Sequence, residues 1–158
     1  MNEPAICASH LFLAPSHNTR AINQRRSVVN PKRTRVFVVD DEKIIAETLA
    51  TILERSGYSA RCFFNPLEAL DAAQSEAPDL LISDVMMPQL TGVELAVRIK
   101  VLWPFCQILL FSGQAETADL LEIARERGHD FHLLSKPVHP SDLLSKIRKR
   151  EATSLAVG

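Results

Sequence analysis

Glycine is scarce in this chain: there are five in 158 residues, and no two lie close together. That excludes the GxGxxG and GxxxxGK[ST] loops that cradle nucleotide phosphates, and neither a GxSxG elbow nor an HExxH pair is present. Cysteine is equally sparse. Cys7, Cys62 and Cys106 are odd in number, widely spaced and without a CxxC, so neither a disulfide framework nor a zinc site is indicated. Cys62 and Cys106 sit beside apolar runs, as inert thiols in a reducing cytoplasm do. No run reaches the 18 apolar residues of a membrane span. No secretory signal is legible either, because the charges of the leader follow the short run Leu11-Phe12-Leu13-Ala14 instead of preceding it.

What is present describes one soluble, cytoplasmic domain: 46% hydrophobic residues, a mean hydropathy near zero, and enough length for a sizeable core. The net charge of -1 conceals an asymmetry. Residues 1–35 carry one acid against six bases, and residues 36–150 carry 17 acids against 12 bases. The leader, residues 1–34, is rich in Asn, Ser, Pro and Arg without period, and is expected to be a basic, disordered tail. A basic arm can touch nucleic acid or acidic lipid. This one lacks interleaved aromatics and an amphipathic period, so a solvated tail is the simpler expectation.

From residue 35 the pattern alternates. Arg35 to Val39 is a continuous apolar strand closed by Asp40-Asp41-Glu42. A helical period runs from Glu42 to Ser56, with Gly57 as its stop. Tyr58 to Phe64 is a strand, and Asn65-Pro66 opens a helix through Ala73. Residues 80–84 form a third strand ending in Asp84, with a turn at Met87-Pro88. A looser helix covers Thr91 to Val101, its start weakened by Gly92. Gln107 to Phe111 is a strand leading into Ser112-Gly113-Gln114, and Ala115 to Arg127 a helix stopped by Gly128. Phe131 to Leu134 is a short strand before Ser135-Lys136-Pro137. Pro140 to Arg150 is the last helix, and residues 151–158 are expected to fray. Strands alternating with helices predict a three-layer α/β sandwich around a parallel sheet, with every strand's carboxyl end on one edge.

That edge collects Asp40 and Asp41, Asp84, Ser112 and Lys136 from four separate strands. Three crowded carboxylates cannot all stay ionised without a cation. Mg²⁺, a hard ion with octahedral oxygen ligands, suits them. Asp84, central on the edge, is the carboxylate best placed for nucleophilic attack on phosphorus. Lys136 and the cation would then neutralise a transferring phosphoryl group, Ser112 would donate to one of its oxygens, and Gly113 would leave room for the donor. Taken singly, an Asp pair can simply cap a helix and a lysine can be a surface charge. His129, His132 and His139 do not have converging ligand spacing.

These segments resemble the receiver domain of two-component response regulators. The matching stretches are Val36 to Glu42, Ser83 to Pro88 with Gly92, Ile108 to Gly113, and Ser135-Lys136-Pro137, within about residues 34–150. The resemblance implies a flavodoxin-like receiver fold over 35–150, strand order 2-1-3-4-5, with helices 1 and 5 on one face and 2, 3 and 4 on the other. It implies that Asp84 takes phosphate from a histidine kinase or a histidine phosphotransfer protein. Mg²⁺ would be held by Asp40, Asp41, Asp84 and the main-chain carbonyl of Met86. Ser112 is similar to the family's switch hydroxyl, Gly113 adjoins it, and Lys136 resembles the family's phosphate-binding lysine. Lys136-Pro137 would be a cis bond. Met86 and Gln114 stand where the family tunes dephosphorylation, and Met86, being neither acid nor carboxamide, implies slow self-hydrolysis.

Two departures stand out. Leu133 occupies the place of the family's usual aromatic, with Phe131 five residues before Lys136, and Gly128 lies one residue farther from the lysine than is usual. That leaves the aromatic half of the switch open, and with it an alternative: a receiver-fold interaction module that does not switch. A Mg²⁺-dependent aspartyl-phosphate phosphatase would want a second acid where Met86 stands. No DNA-binding module fits after the receiver, so the expectation is a stand-alone receiver acting on a partner protein, with no membrane contact. Its oligomeric state is open between a monomer and a phosphorylation-dependent dimer.

Overall fold

The computed structural model describes residues 32–113 and 117–155. The expectations for the leader up to residue 31, and for Gln114, lie outside them. Ten elements alternate without exception among the described residues: β1 (Arg35–Val39), α1 (Lys43–Arg55), β2 (Ser59–Phe63), α2 (Pro66–Ser75), β3 (Leu80–Asp84), α3 (Gly92–Leu102), β4 (Gln107–Ser112), α4 (Thr117–Glu126), β5 (His132–Ser135) and α5 (Pro140–Leu155). The five strands form one parallel sheet in the order β2-β1-β3-β4-β5, as expected.

Side-chain alternation splits the core into two halves. Phe37, Val39, Leu81, Ile108 and Leu110 face one way, onto Ala69 and Ala73 of α2, Leu95, Ala96 and Ile99 of α3, and Ala124 of α4. Val36, Val38, Leu80, Ile82, Leu109 and Phe111 face the other way, onto Ala46, Leu49, Ala50 and Leu53 of α1 and Leu143 and Ile147 of α5. β1, β3 and β4 are therefore apolar on both faces, which is why they read as unbroken runs. The edge strand β2 is half-exposed, and Arg61 guards it. Its guanidinium lies 5.6 Å from the Phe37 ring centroid and 5.1 Å from that of Phe63, and pairs with Glu76.

Element ends depart from the local pattern where distant residues intervene. β5 starts at His132, one residue later than expected. Phe131 stays outside the strand, buried against the α2–α3–α4 side and stacked on His129. α5 does not end at Arg150 but continues to Leu155. The carboxylate of Glu151, expected to fray, accepts from Thr34 Oγ1 at 3.0 Å and from the Tyr58 hydroxyl at 3.1 Å. Those bonds tie that turn back to the sheet.

α3 corrects the reading of Gly92. Thr91 is an N-cap in a full capping box: its Oγ1 accepts from Glu94 N–H at 3.2 Å, and Glu94 accepts from Thr91 N–H at 3.0 Å. The Thr91 N–H, together with the Thr91 hydroxyl donating to the same carboxylate at 3.0 Å, holds the Glu94 pKa below its ordinary value. Gly92 is no defect in the start. Its N–H donates to Val85 O at 2.9 Å, and a Cβ on it would lie 1.9 Å from the main-chain oxygen of Asp84. Glycine thus lets α3 lie directly against the strand end that carries Asp84.

Gly92→Ala must push backbone against backbone. The expected cost lies at or above the upper end of the overpacking range of about 1–3 kcal/mol, read as a lowered urea midpoint with unchanged slope. A midpoint equal to that of the parent would contradict this packing.

Candidate functional site

The carboxyl ends of β1, β3, β4 and β5 bring together the residues singled out from the sequence. Asp40 follows β1 and is 1% exposed, while Asp41 beside it faces solvent. Asp84 closes β3 and is 8% exposed. One ligand atom from each of the three carboxylates lies within 4.8 Å of the others. Lys136, just past β5, reaches across: its Nζ is 3.0 Å from Asp40 Oδ2 and 3.3 Å from Asp84 Oδ1. Lys136 N–H donates to Ser112 O at 2.8 Å, which fixes where the side chain starts, and the Lys136–Pro137 bond is cis.

Each oxygen has a distinct setting. Asp40 Oδ1 accepts from Glu42 N–H at 2.9 Å, so the carboxylate also orders the entry into α1, and its Oδ2 faces Lys136. Asp84 Oδ1 accepts from Val85 N–H at 2.9 Å besides meeting Lys136. Among the described residues no donor reaches Asp84 Oδ2. The main chain under Asp84 is pinned as well, because Ser83 Oγ, fully buried, donates to Asp84 O at 2.9 Å.

Burial is the main cause that raises the Asp84 pKa above the ordinary carboxylate value. Lys136 opposes the shift, and the neighbouring charge of Asp40 adds to it. For Lys136 burial works against the ammonium, but the hydrogen bond and charge of Asp40, with Asp84, outweigh it and hold the pKa above the usual lysine value. Three carboxylates facing one ammonium leave two negative charges, a set that a hard divalent cation with oxygen ligands would balance.

Ser112 closes β4 one residue beyond Phe111, the register partner of Asp84, and is 4% exposed. Its Oγ is hydrogen-bonded to Oγ1 of Thr117, a residue that the sequence pattern does not single out. No sequence signal marked it, because it is one polar residue in a polar stretch. Gly113 is exposed, and a Cβ there would lie an ordinary 3.8 Å from Lys136 Cβ, so packing within the described residues does not require glycine. The Met86 side chain is 43% exposed in the turn after β3, while Met87 is buried. Leu133 lies opposite Leu110 on β5 and packs, partly buried, on the α2–α3–α4 side. His139 bonds to Ser141 Oγ, and His129 stacks on Phe131.

The chain and its fold are similar to known proteins. Residues 36–148 match the family model described as the response regulator receiver domain. The response regulator receiver protein CpdR of Brucella abortus is 33% identical over 115 residues, covering 73% of this chain and 94% of CpdR. The transcriptional regulatory protein CreB of Escherichia coli is 32% identical over 117 residues, 74% of this chain but 50% of CreB, so the chain spans about half the length of that relative. A CheY-like receiver domain protein from Methanospirillum hungatei superposes with a TM-score of 0.70 at 27% identity, covering 80% of this chain and 99% of that one. This chain belongs to the response regulator receiver family, whose members are two-component signalling modules and are not classed as enzymes. No described helix is long and apolar enough to cross a membrane.

The raised Asp84 pKa has a consequence for stability. A carboxyl with a raised folded pKa contributes stability below its unfolded value, and that contribution is lost as pH rises through the folded one. At neutral pH in EDTA, Asp84→Asn is therefore expected to melt higher than the parent. The gap should close on acidification below the ordinary carboxylate range. A variant that melts lower at neutral pH would contradict the assignment of burial as the dominant cause.

Proposed function

We propose that this chain is a cytoplasmic receiver whose Asp84 accepts a phosphoryl group from a phosphohistidine on a kinase or phosphotransfer protein, with Mg²⁺, and passes the signal to a partner protein. One observation carries the reading: Asp84 has one oxygen held by Val85 N–H and Lys136 and the other free of described donors, beside two further carboxylates. Asp84 Oδ2 attacks phosphorus, the phosphorus–nitrogen bond to the donor imidazole breaks, and its electron pair returns to the ring. The product is an acyl phosphate on Asp84.

Asp40, Asp41 and Asp84, with the main-chain carbonyl of Met86, would hold Mg²⁺. When bound, the cation supplies positive charge to the phosphoryl oxygens. Lys136 then moves its two hydrogen bonds from the carboxylates toward the new phosphoryl oxygens, and Ser112 donates a third, with Gly113 next to it at the mouth of the site. Met86 offers no group to activate a hydrolytic water, and Gln114 is the other side chain assigned to tuning dephosphorylation. Slow self-hydrolysis follows.

The face of α1 supports a protein donor. Ile44 is 80% exposed in its first turn, beside a groove walled by Ile45, Thr48, Pro137 and Val138 next to Lys136. An exposed aliphatic rim on a charged site suits a helical partner. A second reading, an interaction module that does not switch, draws on Leu133, whose aliphatic side chain has no ring or polar group to follow a change at Ser112.

Incubation with a small acyl phosphate and Mg²⁺ is expected to add one phosphoryl group by intact mass, and none in Asp84→Asn or in EDTA. An adduct that survives Asp84→Asn, or a folded parent that takes up none, would overturn the reading. Ile44→Glu is expected to slow transfer from a phosphorylated histidine kinase or phosphotransfer protein at least tenfold, the effect of about 1.4 kcal/mol, while acyl-phosphate labelling is unchanged. Equal losses with both donors would place Ile44 in folding and not in docking.

A further inference from the structure

α4 is held to the rest of the domain through few buried side chains. Of its ten residues only Thr117 and Ala124 are fully buried, with Leu120 and Leu121 packed on the core but partly exposed, so Thr117 is the one fully buried side chain of its first turn. Thr117 is 1% exposed, although threonine is mostly found at the surface. Its Oγ1 is hydrogen-bonded to Ser112 Oγ, five positions earlier at the end of β4 and one residue past the register partner of Asp84. A buried hydroxyl pair thus joins the strand edge beside Asp84 to the start of a loosely packed helix.

We propose that Thr117 is a positioning residue that couples α4 to the state of Asp84, because Ser112 cannot turn to a phosphoryl group there without pulling on, or releasing, the first turn of α4. The inference rests on Asp84 being the phosphoacceptor. A serine hydroxyl moves between staggered wells, and each step carries Oγ by roughly 2 Å. A hydroxyl pair bonds at about 2.5–3.0 Å between oxygens. After such a step the bond survives only if Thr117 follows, and Thr117 is part of α4. Either outcome ties the helix start to the phosphoryl group. The net effect of one such hydrogen bond is roughly a two- to tenfold change in an equilibrium constant, which sets the size of the coupling.

The test is hydrogen exchange of α4 amides in the full chain, before and after phosphoryl uptake from a small acyl phosphate with Mg²⁺, uptake being read by intact mass. In the parent, uptake is expected to change exchange in the first turn of α4 by roughly two- to tenfold. In Thr117→Val, which keeps shape and loses the hydroxyl, that turn is expected to exchange faster already before uptake and to change little on uptake. Thr117→Ser, which restores a hydroxyl, is expected to recover the parent response. A general loss of stability would not produce that pattern. An unchanged α4 response in phosphorylated Thr117→Val overturns the coupling alone. Loss of uptake in Thr117→Val, with uptake retained in Thr117→Ser, also overturns it, by placing Thr117 in phosphoryl binding itself. Absence of uptake in the folded parent instead overturns the Asp84 reading on which the coupling depends.

Discussion

Lys136 stands between two carboxylates that would otherwise repel each other. Its ammonium lies 3.0 Å from Asp40 and 3.3 Å from Asp84, and a third acid, Asp41, completes a cluster that one lysine cannot neutralise. The rest of the edge is organised around this imbalance. Asp40 is held by the main chain entering α1, Asp84 by Val85 N–H, and Lys136 by its main-chain bond to the end of β4. Because these anchors are main-chain groups at the ends of different strands, the acids cannot drift apart to relieve their repulsion. The residual negative charge is one that a divalent cation with oxygen ligands could balance. Burial keeps the Asp84 carboxyl largely out of bulk water.

The sheet supplies the rigidity that the site needs. β3 lies between β1 and β4, and every one of its residues is buried. A carboxylate at the tip of such a strand is positioned by the core itself. α3 reinforces that position, since Gly92 rests against the Asp84 main chain and its N–H bonds to Val85 O. The opposite trend holds toward β5 and α4. β5 is half-exposed, Leu133 packs only partly, and two residues of α4 are buried. The molecule is firm where the chemistry is proposed and looser where a change would be transmitted.

Much of this was legible in the residues. β1 and β3 end where an apolar run meets an acid, and both spans match the structure residue for residue, because strands buried on two faces leave an unbroken apolar signature. Asp40, Asp41, Asp84, Ser112 and Lys136 were legible because a parallel sheet sends every strand's carboxyl end to one edge. What escaped depends on partners far along the chain. Glu151 reads as part of a fraying end until Thr34 and Tyr58 are seen to bind it, across 117 and 93 positions. Gly92 reads as a poor helix residue until its contact with Asp84 appears. Thr117 is one polar residue in a polar stretch, and only the fold shows it buried against Ser112.

The central claim is that the acidic edge, balanced by one lysine, is built to take a divalent cation and then a phosphoryl group on Asp84. A crystal structure of the full chain with Mg²⁺ and beryllofluoride, a phosphoryl mimic, tests it most directly. The expected result is beryllofluoride on Asp84 Oδ2, the cation within reach of Asp40 and Asp41, and Lys136 Nζ turned from the carboxylates to a fluorine. Beryllofluoride on another residue, or a cation bound away from these acids with Lys136 still on Asp40 and Asp84, would contradict the account.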